Sequence, residues 1–352
     1  MSNRTIRNAR QIVEARQLWQ RVLNGDLRAR AEVMETLTTS DFPVLLGAAY
    51  GRELIQEYAG IAPVWQQFAR RVTVPDFKPK RLVELSGGRA GLDRVKEAAE
   101  YKARPLSEGQ YEFSVEKFGN RIPLTWEMLK NDELDAFRDL PTRLAVAARE
   151  TEDIAAVKAL LAPTGNGVNT TFFKAANENA PTDLPLTAEN LESALTTIST
   201  RKDGEGRPIV LAGAVLMVPP ALEMTARRIL NATEIRREVS GVTTVESNYL
   251  AGTVRLVVNP WLSVLNTGAK AATTWFILPD PNSARPALVQ AFLRGEETPD
   301  LRVKSDTGNR IGGGAIAPED GSFDDDTVQY RVRHVLGAAT VIPKATYVSN
   351  GS

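Results

Sequence analysis

Read for alternating apolar and polar positions, the chain divides into stretches of two periods, 3.6 for helices and 2 for strands. Ile12, Ala15, Trp19, Val22 and Leu23 form one helical stripe over residues 8–23, which stops near the C′ glycine Gly25. A second short helix is predicted over Leu27–Leu37, and Thr38–Asp41 offers a cap for the next segment. These residues read either as a helical arm or as a helix pair packed on its own domain. Residues 42–69 mix helix with apolar turns, and Pro63 opens a short final helix.

From Arg70 the pattern changes. About fifty residues become rich in charge, Pro and Gly and poor in Leu and Ile, the mark of a functional excursion. Its strand-like ends, Val72–Leu85 and Tyr111–Arg121, are predicted to pair as an antiparallel ribbon. In a continuous strand, Tyr111, Phe113, Val115 and Lys117 share one face, and Glu112, Ser114, Glu116 and Phe118 the other. Both faces are then half polar, unlike a strand in a domain's own core. A two-stranded ribbon is marginal in water, so a neighbouring copy is expected to supply its partner surface.

Thr125 caps a predicted turn of helix over Trp126–Lys130, and Pro141 suits the first position of a long helix, Pro141–Leu161. Leu144, Ala147, Ala148, Thr151, Ile154, Ala155 and Leu161 are expected on its buried side. Beyond the stop at 162–165 the chain alternates α and β. Helices are predicted at Ala188–Thr200, capped by Thr187, and at Ala221–Leu230. Strands are predicted at Ala214–Val218, Val254–Val258, Thr274–Leu278, Ala287–Phe292 and Val328–Arg333, with a last one from Ala339–Ile342 toward Tyr347. No internal repeat is found.

Composition narrows the chemistry more than the fold. With 352 residues, 43% apolar and 24% charged, the chain has the make-up of a globular protein of one large or two medium domains. Lys plus Arg equals Asp plus Glu at 43 each, so no global charge draws it to nucleic acid or to an anionic membrane. No cysteine is present, which removes disulfides, thiolate nucleophiles and Cys-type metal sites. No signal-peptide core or apolar run of membrane-spanning length is seen, so no membrane partner is expected.

The single histidine, His334, rules out a two-His metal site and would have to serve any Ser-His-Asp triad. No G-x-S-x-G, P-loop or G-x-G-x-x-G pattern occurs. Asp324-Asp325-Asp326 lacks EF-hand spacing and reads as a solvated turn. GGGAIAPEDG (312–321) lacks the Lys-Ser/Thr of a phosphate loop and reads as a flexible loop. No catalytic residue, cofactor or metal is therefore expected. The enzyme reading that survives is a hydrolase or transferase using His334.

Four stretches, in order, resemble the major capsid protein of tailed bacteriophages, the Hong Kong 97-type fold. They are PLSEGQYEFSVEKFGNRIPLTWEMLKNDELDAF, VLMVPPALEMTARRIL, WFILPDP with FLRGEETP, and FDDDTVQYRVRHVLGAATVIPKATYVSNG. The resemblance covers roughly residues 42–350. It implies an α+β subunit with an N-terminal arm (1–41), then the first part of a peripheral domain (42–162) holding an extended loop (72–122) and a spine helix (141–161). An apical domain (163–325) and closing peripheral strands (326–352) complete it.

On this map Glu108, Tyr111, Glu112, Phe113, Glu116, Lys117 and Phe118 are the expected assembly contacts of the loop. Tyr111, Phe113 and Phe118 would be buried anchors and the charged residues rim pairs. The resemblance further implies pentamers and hexamers in an icosahedral shell, with a scaffolding protein or prohead protease, a portal, and packaged double-stranded DNA held by non-specific contact. Arg70-Arg71 and the arginines of the arm are candidates for that contact. Assembly would take place in the host cytoplasm and the product would be the virion. Lys78, Lys80, Lys96, Lys102 and Lys117 lie where a loop crosslink would form, though none aligns with one. An encapsulin-like shell protein is the alternative within the same fold.

Overall fold

The computed structural model describes residues 42–86, 107–125, 140–202, 213–239, 242–304 and 324–351, with isolated positions at 206, 208, 209, 211, 311 and 322. The expected arm, the turn at Trp126–Lys130, the loop at 312–321, Lys96 and Lys102 lie outside the described residues. The chain separates into two compact units. The smaller comprises residues 1–56, 119–143 and 300–332, and the larger 57–118, 144–299 and 333–352.

The chain order opens with helix α1 (Phe42–Gly60), a 3-10 helix (Val64–Gln67) behind Pro63, and strand β1 (Arg70–Val74). Strands β2 (Lys80–Ser86), β3 (Ser107–Phe113) and β4 (Glu116–Thr125) follow, then the long helix α2 (Leu140–Leu160). The second half holds α3 (Ala188–Thr200), β5 (Ala214–Val218), α4 (Pro220–Asn231), and the hairpin β6 (Glu234–Val239) and β7 (Val242–Ser247). It continues with β8 (Val254–Val258), α5 (Trp261–Leu265), β9 (Trp275–Pro279), β10 (Leu288–Leu293), β11 (Asp300–Val303), β12 (Thr327–Thr340) and β13 (Tyr347–Ser349).

Local chemistry explains most of these boundaries. Thr187 caps α3 by accepting the Asn190 N–H, and Pro219-Pro220 starts α4, where a missing N–H costs nothing. The expected pair of strands at 328–333 and 339–342 is one 14-residue strand. Gly337 and two alanines do not break it, because pairing to β10 carries the chain through them. The hairpin β6–β7 was not anticipated.

Two sheets organise the core of the larger unit. In one, β10 lies between parallel β1 and antiparallel β12. The other has the order β13-β9-β5-β8. WFILP of β9 and LVQAFL of β10 fall in different sheets, and β13 joins the sheet of β9 instead of that of β12. The parallel pairing of β5 and β8 across α4 is a βαβ crossover.

Strand alternation then assigns three cores. Leu288 and Phe292 of β10, with Val215, Met217, Phe276 and Leu278 of the second sheet, bury α2 residues Ala156, Val157 and Leu160. The opposite face of the second sheet, with Leu216, Trp275 and Ile277, packs on Leu191, Ala194 and Ile198 of α3 and Ala226 of α4. Beyond β10, Val289 and Ala291 meet Val74, Phe113, Val115, Val335 and Val341. Strands covered on both faces read as unbroken apolar runs, and AVLMV and WFILP are such runs.

Helix α2 appears where it was expected, within one residue at each end. Its buried face matches the expected one in part. Leu144, Ala148 and Leu161 are buried as expected, Ala147 is exposed, Thr151, Ile154 and Ala155 are half-buried, and Ala145, Glu152, Asp153, Ala156, Val157 and Leu160 are buried as well. Two acids on the inner face displaced the apolar stripe that periodicity alone would select.

Candidate functional site

The ribbon exists, and it is shorter than the sequence suggested. β2 and β3 pair antiparallel from Lys80↔Phe113 to Ser86↔Ser107, and among the described residues neither pairs with a third strand. Val72 belongs to β1 in the sheet, and the residues from Glu116 on belong to β4. The expected span of 72–122 therefore includes sheet strands at both ends.

The puzzle of the two mixed faces has a geometric answer. The strand is interrupted at Ser114–Val115, so Lys117 and Phe118 do not continue the alternation of β3. Up to the break one face is apolar. Tyr111 is half-buried, Phe113 and Val115 are buried, and Leu82, opposite Tyr111, packs on the same core. The break sits against Gly337 of β12, where an added methyl group would overlap the Ser114 carbonyl oxygen. A glycine permits this close approach of two backbones.

The residues expected to make assembly contacts thus divide into groups. Phe113 is an anchor within its own subunit, and Tyr111 leans on the same core. Glu112, on the opposite face, pairs with Arg81 across the ribbon at 2.8 Å instead of standing free for a rim contact. Glu116, Lys117 and Phe118 are exposed on β4, and Phe118 retains 36% of its surface. Glu108 stands opposite Leu85 in the ribbon register, and Lys78 and Lys80 are exposed at the other end of the ribbon. Phe113→Ala should cost the dispersed subunit about 3–5 kcal/mol in urea unfolding, whereas Phe118→Ala should stay within about 0.5 kcal/mol.

A second constellation was not anticipated: a buried polar cluster around Glu152 of α2. Its carboxylate accepts from Tyr58 Oη at 2.5 Å, Trp65 Nε1 at 2.7 Å, Arg149 Nη1 at 3.1 Å and His334 Nε2 at 3.0 Å. Asp153 beside it accepts the backbone N–H groups of Trp65 at 2.7 Å and Val64 at 3.4 Å. The Arg149 guanidinium also lies 3.5 Å from the Tyr58 ring centroid and donates to the Tyr58 carbonyl.

Burial alone would raise the Glu152 pKa. Hydrogen bonds from His334, Tyr58 and Trp65, with the Arg149 charge, outweigh it and hold the carboxyl below its ordinary range. Burial raises Asp153, partly offset by the two backbone donors. Tyr58 is pushed well above the usual phenol range by burial and by the Glu152 charge.

His334, the one candidate base, has a buried ring between Tyr58 and Phe292, with centroids at 5.8 and 5.9 Å. Facing an ionised Glu152, Nε2 is the donor, and among the described residues Nδ1 has no partner. The cluster ties the end of α1, the 3-10 helix and β12 to α2, so it coheres the subunit. A tyrosine, a tryptophan and a histidine far apart in sequence gave no periodic signal. The one available cue was a pair of acids inside an otherwise Ala-rich helix.

The remaining candidates are local structure. Asp325 accepts from the Ser322 and Thr327 hydroxyls, which lower its pKa, in a solvated turn. Arg70 donates to the Pro281 and Ser283 carbonyls, and Arg71 stacks over Phe292. Among the described residues no three acidic, His or Cys side chains gather to hold a metal, and no helix is long and apolar enough to cross a membrane.

A long helix packed between two sheets, with a detached two-stranded ribbon, is the Hong Kong 97-type capsid fold. It matches the capsid of a native GTA particle at TM-score 0.50 with 12% identity, over 80% of this chain and 87% of that one. It also matches the capsid of the cyanophage P-SCSP1u at TM-score 0.51 with 10% identity, over 83% and 88%. An encapsulin from Synechococcus elongatus overlaps at TM-score 0.45 with 13% identity, over 84% and 89%, too loosely to carry an inference. No curated protein sequence matches.

A family model described as phage capsid protein matches residues 110–349, more than half of the 352. The chain belongs to this phage capsid protein family. It is a major capsid protein, a structural component of the virion.

Proposed function

We propose that the chain is the repeating subunit of an icosahedral shell, assembling as pentamers and hexamers around double-stranded DNA. The observation that carries this is the ribbon. Seven residue pairs stand as a two-stranded sheet, and among the described side chains Leu82, Tyr111 and Phe113 pack on the subunit's own core. Such a ribbon is marginal by itself and gains its stability from a further surface. Repeated around a ring, one ribbon per subunit on the next copy is a heterologous contact, the kind that closes rings.

On this reading the arm is residues 1–41, the extended loop lies within 72–122, the apical domain is 163–325, and the chain closes through 326–352. Glu108, Glu116, Lys117 and Phe118 are the exposed or register-placed positions left for neighbour contact. A scaffolding protein or prohead protease and a portal are the expected partners, and DNA is held without sequence preference. Assembly occurs in the host cytoplasm, and the subunit performs no catalysis.

Negative-stain electron microscopy with light scattering tests this, on the chain alone and on the chain with its genomic neighbours. Rings of five and six or closed shells are expected in at least one preparation. A strict monomer or dimer in both would overturn the reading. Small uniform shells formed by the chain alone would favour an encapsulin-like compartment.

A further inference from the structure

Asn-Gly pairs occur in the sequence at 24–25, 166–167 and 350–351. Asparagine is a thermolabile residue, and a following glycine has no Cβ to hinder its own nitrogen as it approaches the side-chain amide. The pairs at 166 and 350 lie among the described residues. Asn166 is exposed in the loop that follows α2, and Gly167 takes φ +85°, a conformation that suits glycine.

In that loop the reactive nitrogen is held. Gly167 N–H donates to Asn266 Oδ1 at 3.1 Å, and the Gly167 carbonyl accepts the Ala162 N–H at 3.0 Å. The same Oδ1 accepts the Gly268 N–H at 3.0 Å, and Thr267 N–H donates to the Gly165 carbonyl at 2.8 Å. Leu161 and Val168 form an antiparallel bridge at the base of the loop. Asn266, at the end of α5, is only 4% exposed. A methyl group on Gly268 would stand 3.0 Å from the Gly167 nitrogen and 3.2 Å from Asn166 Oδ1, so the two loops meet at the labile pair.

We propose that Asn166 is a latent modification site, kept from deamidating in the folded subunit by Asn266. The reaction begins when the Gly167 nitrogen gives its proton to hydroxide and bonds to Asn166 Cγ. The Cγ–Nδ2 bond breaks, and ammonia leaves with a proton taken from water. Water then opens the resulting cyclic imide at either carbonyl, giving aspartate or isoaspartate, with nothing oxidised or reduced. Asn266 Oδ1 opposes the first step, because it stabilises the N–H form and would face the deprotonated nitrogen with a lone pair. Bonds on both sides of the Gly167 residue also deny its nitrogen the swing toward Cγ. The isoaspartyl product would lengthen the backbone inside a loop that these bonds close.

Position 350 supplies an internal control. Gly351 is buried, and its N–H is engaged by Ser349 Oγ at 3.3 Å, with no part played by Asn266. Dispersed subunits are incubated at mildly alkaline pH, and aspartate and isoaspartate at 166 and 350 are followed by peptide mass spectrometry. Folded wild type should deamidate at Asn166 at least tenfold more slowly than chain unfolded in urea. Asn266→Ala should remove most of that difference at 166 and leave 350 slow. Asn266→Asp, which keeps an oxygen acceptor, should stay near wild type.

Equal rates at Asn166 in folded and unfolded wild type would overturn the proposal. So would a folded Asn266→Ala that deamidates at 166 no faster than wild type. Acceleration at 166 and 350 together would mean that Asn266→Ala has lost its fold. Hydrogen exchange of the Gly167 amide in wild type then decides: slowing of at least tenfold against an unstructured chain is expected, and exchange at the unstructured rate would refute the hold.

Discussion

Glu152→Ala is expected to be among the most damaging single substitutions in the chain, costing about 3–5 kcal/mol. The methyl group would leave the Tyr58 hydroxyl, the Trp65 indole N–H and the His334 ring without their shared acceptor, and Arg149 without its acid. Each is buried or half-buried, so water does not readily replace the carboxylate. Three elements would loosen from α2 together. Glu152→Gln, which keeps the shape and removes the charge, should cost less, about 1–3 kcal/mol.

The sign of the pH dependence follows from the depressed pKa of Glu152. Its stabilisation is fully present above the ordinary glutamate value of about 4.3 and is lost as pH falls through the lower folded value. Asp153 acts in the opposite sense. Its raised pKa means that ionisation opposes folding, and that penalty is relieved as pH falls. The gap between wild type and Glu152→Gln in urea unfolding should thus hold from pH 7 to about 5 and close below about pH 4. A gap that widens on acidification would contradict a charged Glu152.

Gly337→Ala should rival it, at about 3 kcal/mol or more. The added methyl would meet the carbonyl of Ser114, a backbone atom with no rotamer to move into, with the Ser114 carbonyl carbon and the Val115 Cα also close. Either β12 or the chain leaving the ribbon would have to shift. β12 is held by β10 through five registered pairs, so the ribbon exit is the part that gives. Reduced stability should therefore come with poor assembly. Gly51→Ala is the control. Nothing lies within 4 Å of a methyl there, in mid-helix, and a gain of about 0.5–1 kcal/mol is expected. Equal effects at the two glycines would mean that the crossing at Ser114 is not tight.

Particular residues show where reading by pattern succeeded and where it failed. Thr187 and Pro219-Pro220 announced their helices to within a residue, because caps are chemistry between near neighbours. AVLMV and WFILP announced buried strands through their unbroken apolar content. The failures are equally specific. Tyr111 and Phe113 read as contacts for another molecule because Lys117 was counted on their face; the break at Ser114–Val115 made that count invalid. Glu152 and Asp153 are not among the residues expected on the buried side of α2, because an acid has no place on a buried helix face unless donors converge on it. Apart from Arg149, one turn before Glu152, those donors lie 87 to 182 residues away in sequence.

The sequence by itself determined the class of fold, the positions of α2, α3 and α4 and of most strands, the existence of a ribbon, and the absence of cysteine chemistry. The class of fold came through the resemblance of four stretches to a known family; the rest follow from periodicity, capping and composition, which act over a few residues. Only the tertiary structure decided which strands pair, which face of α2 is buried, and that His334 bonds to an acid in the core. It alone showed that Gly337 marks a backbone crossing and that Phe113 faces inward. Each of these depends on groups brought together from distant parts of the chain. A buried charge or a close approach is stable only when its partners are in place, and no local pattern encodes them.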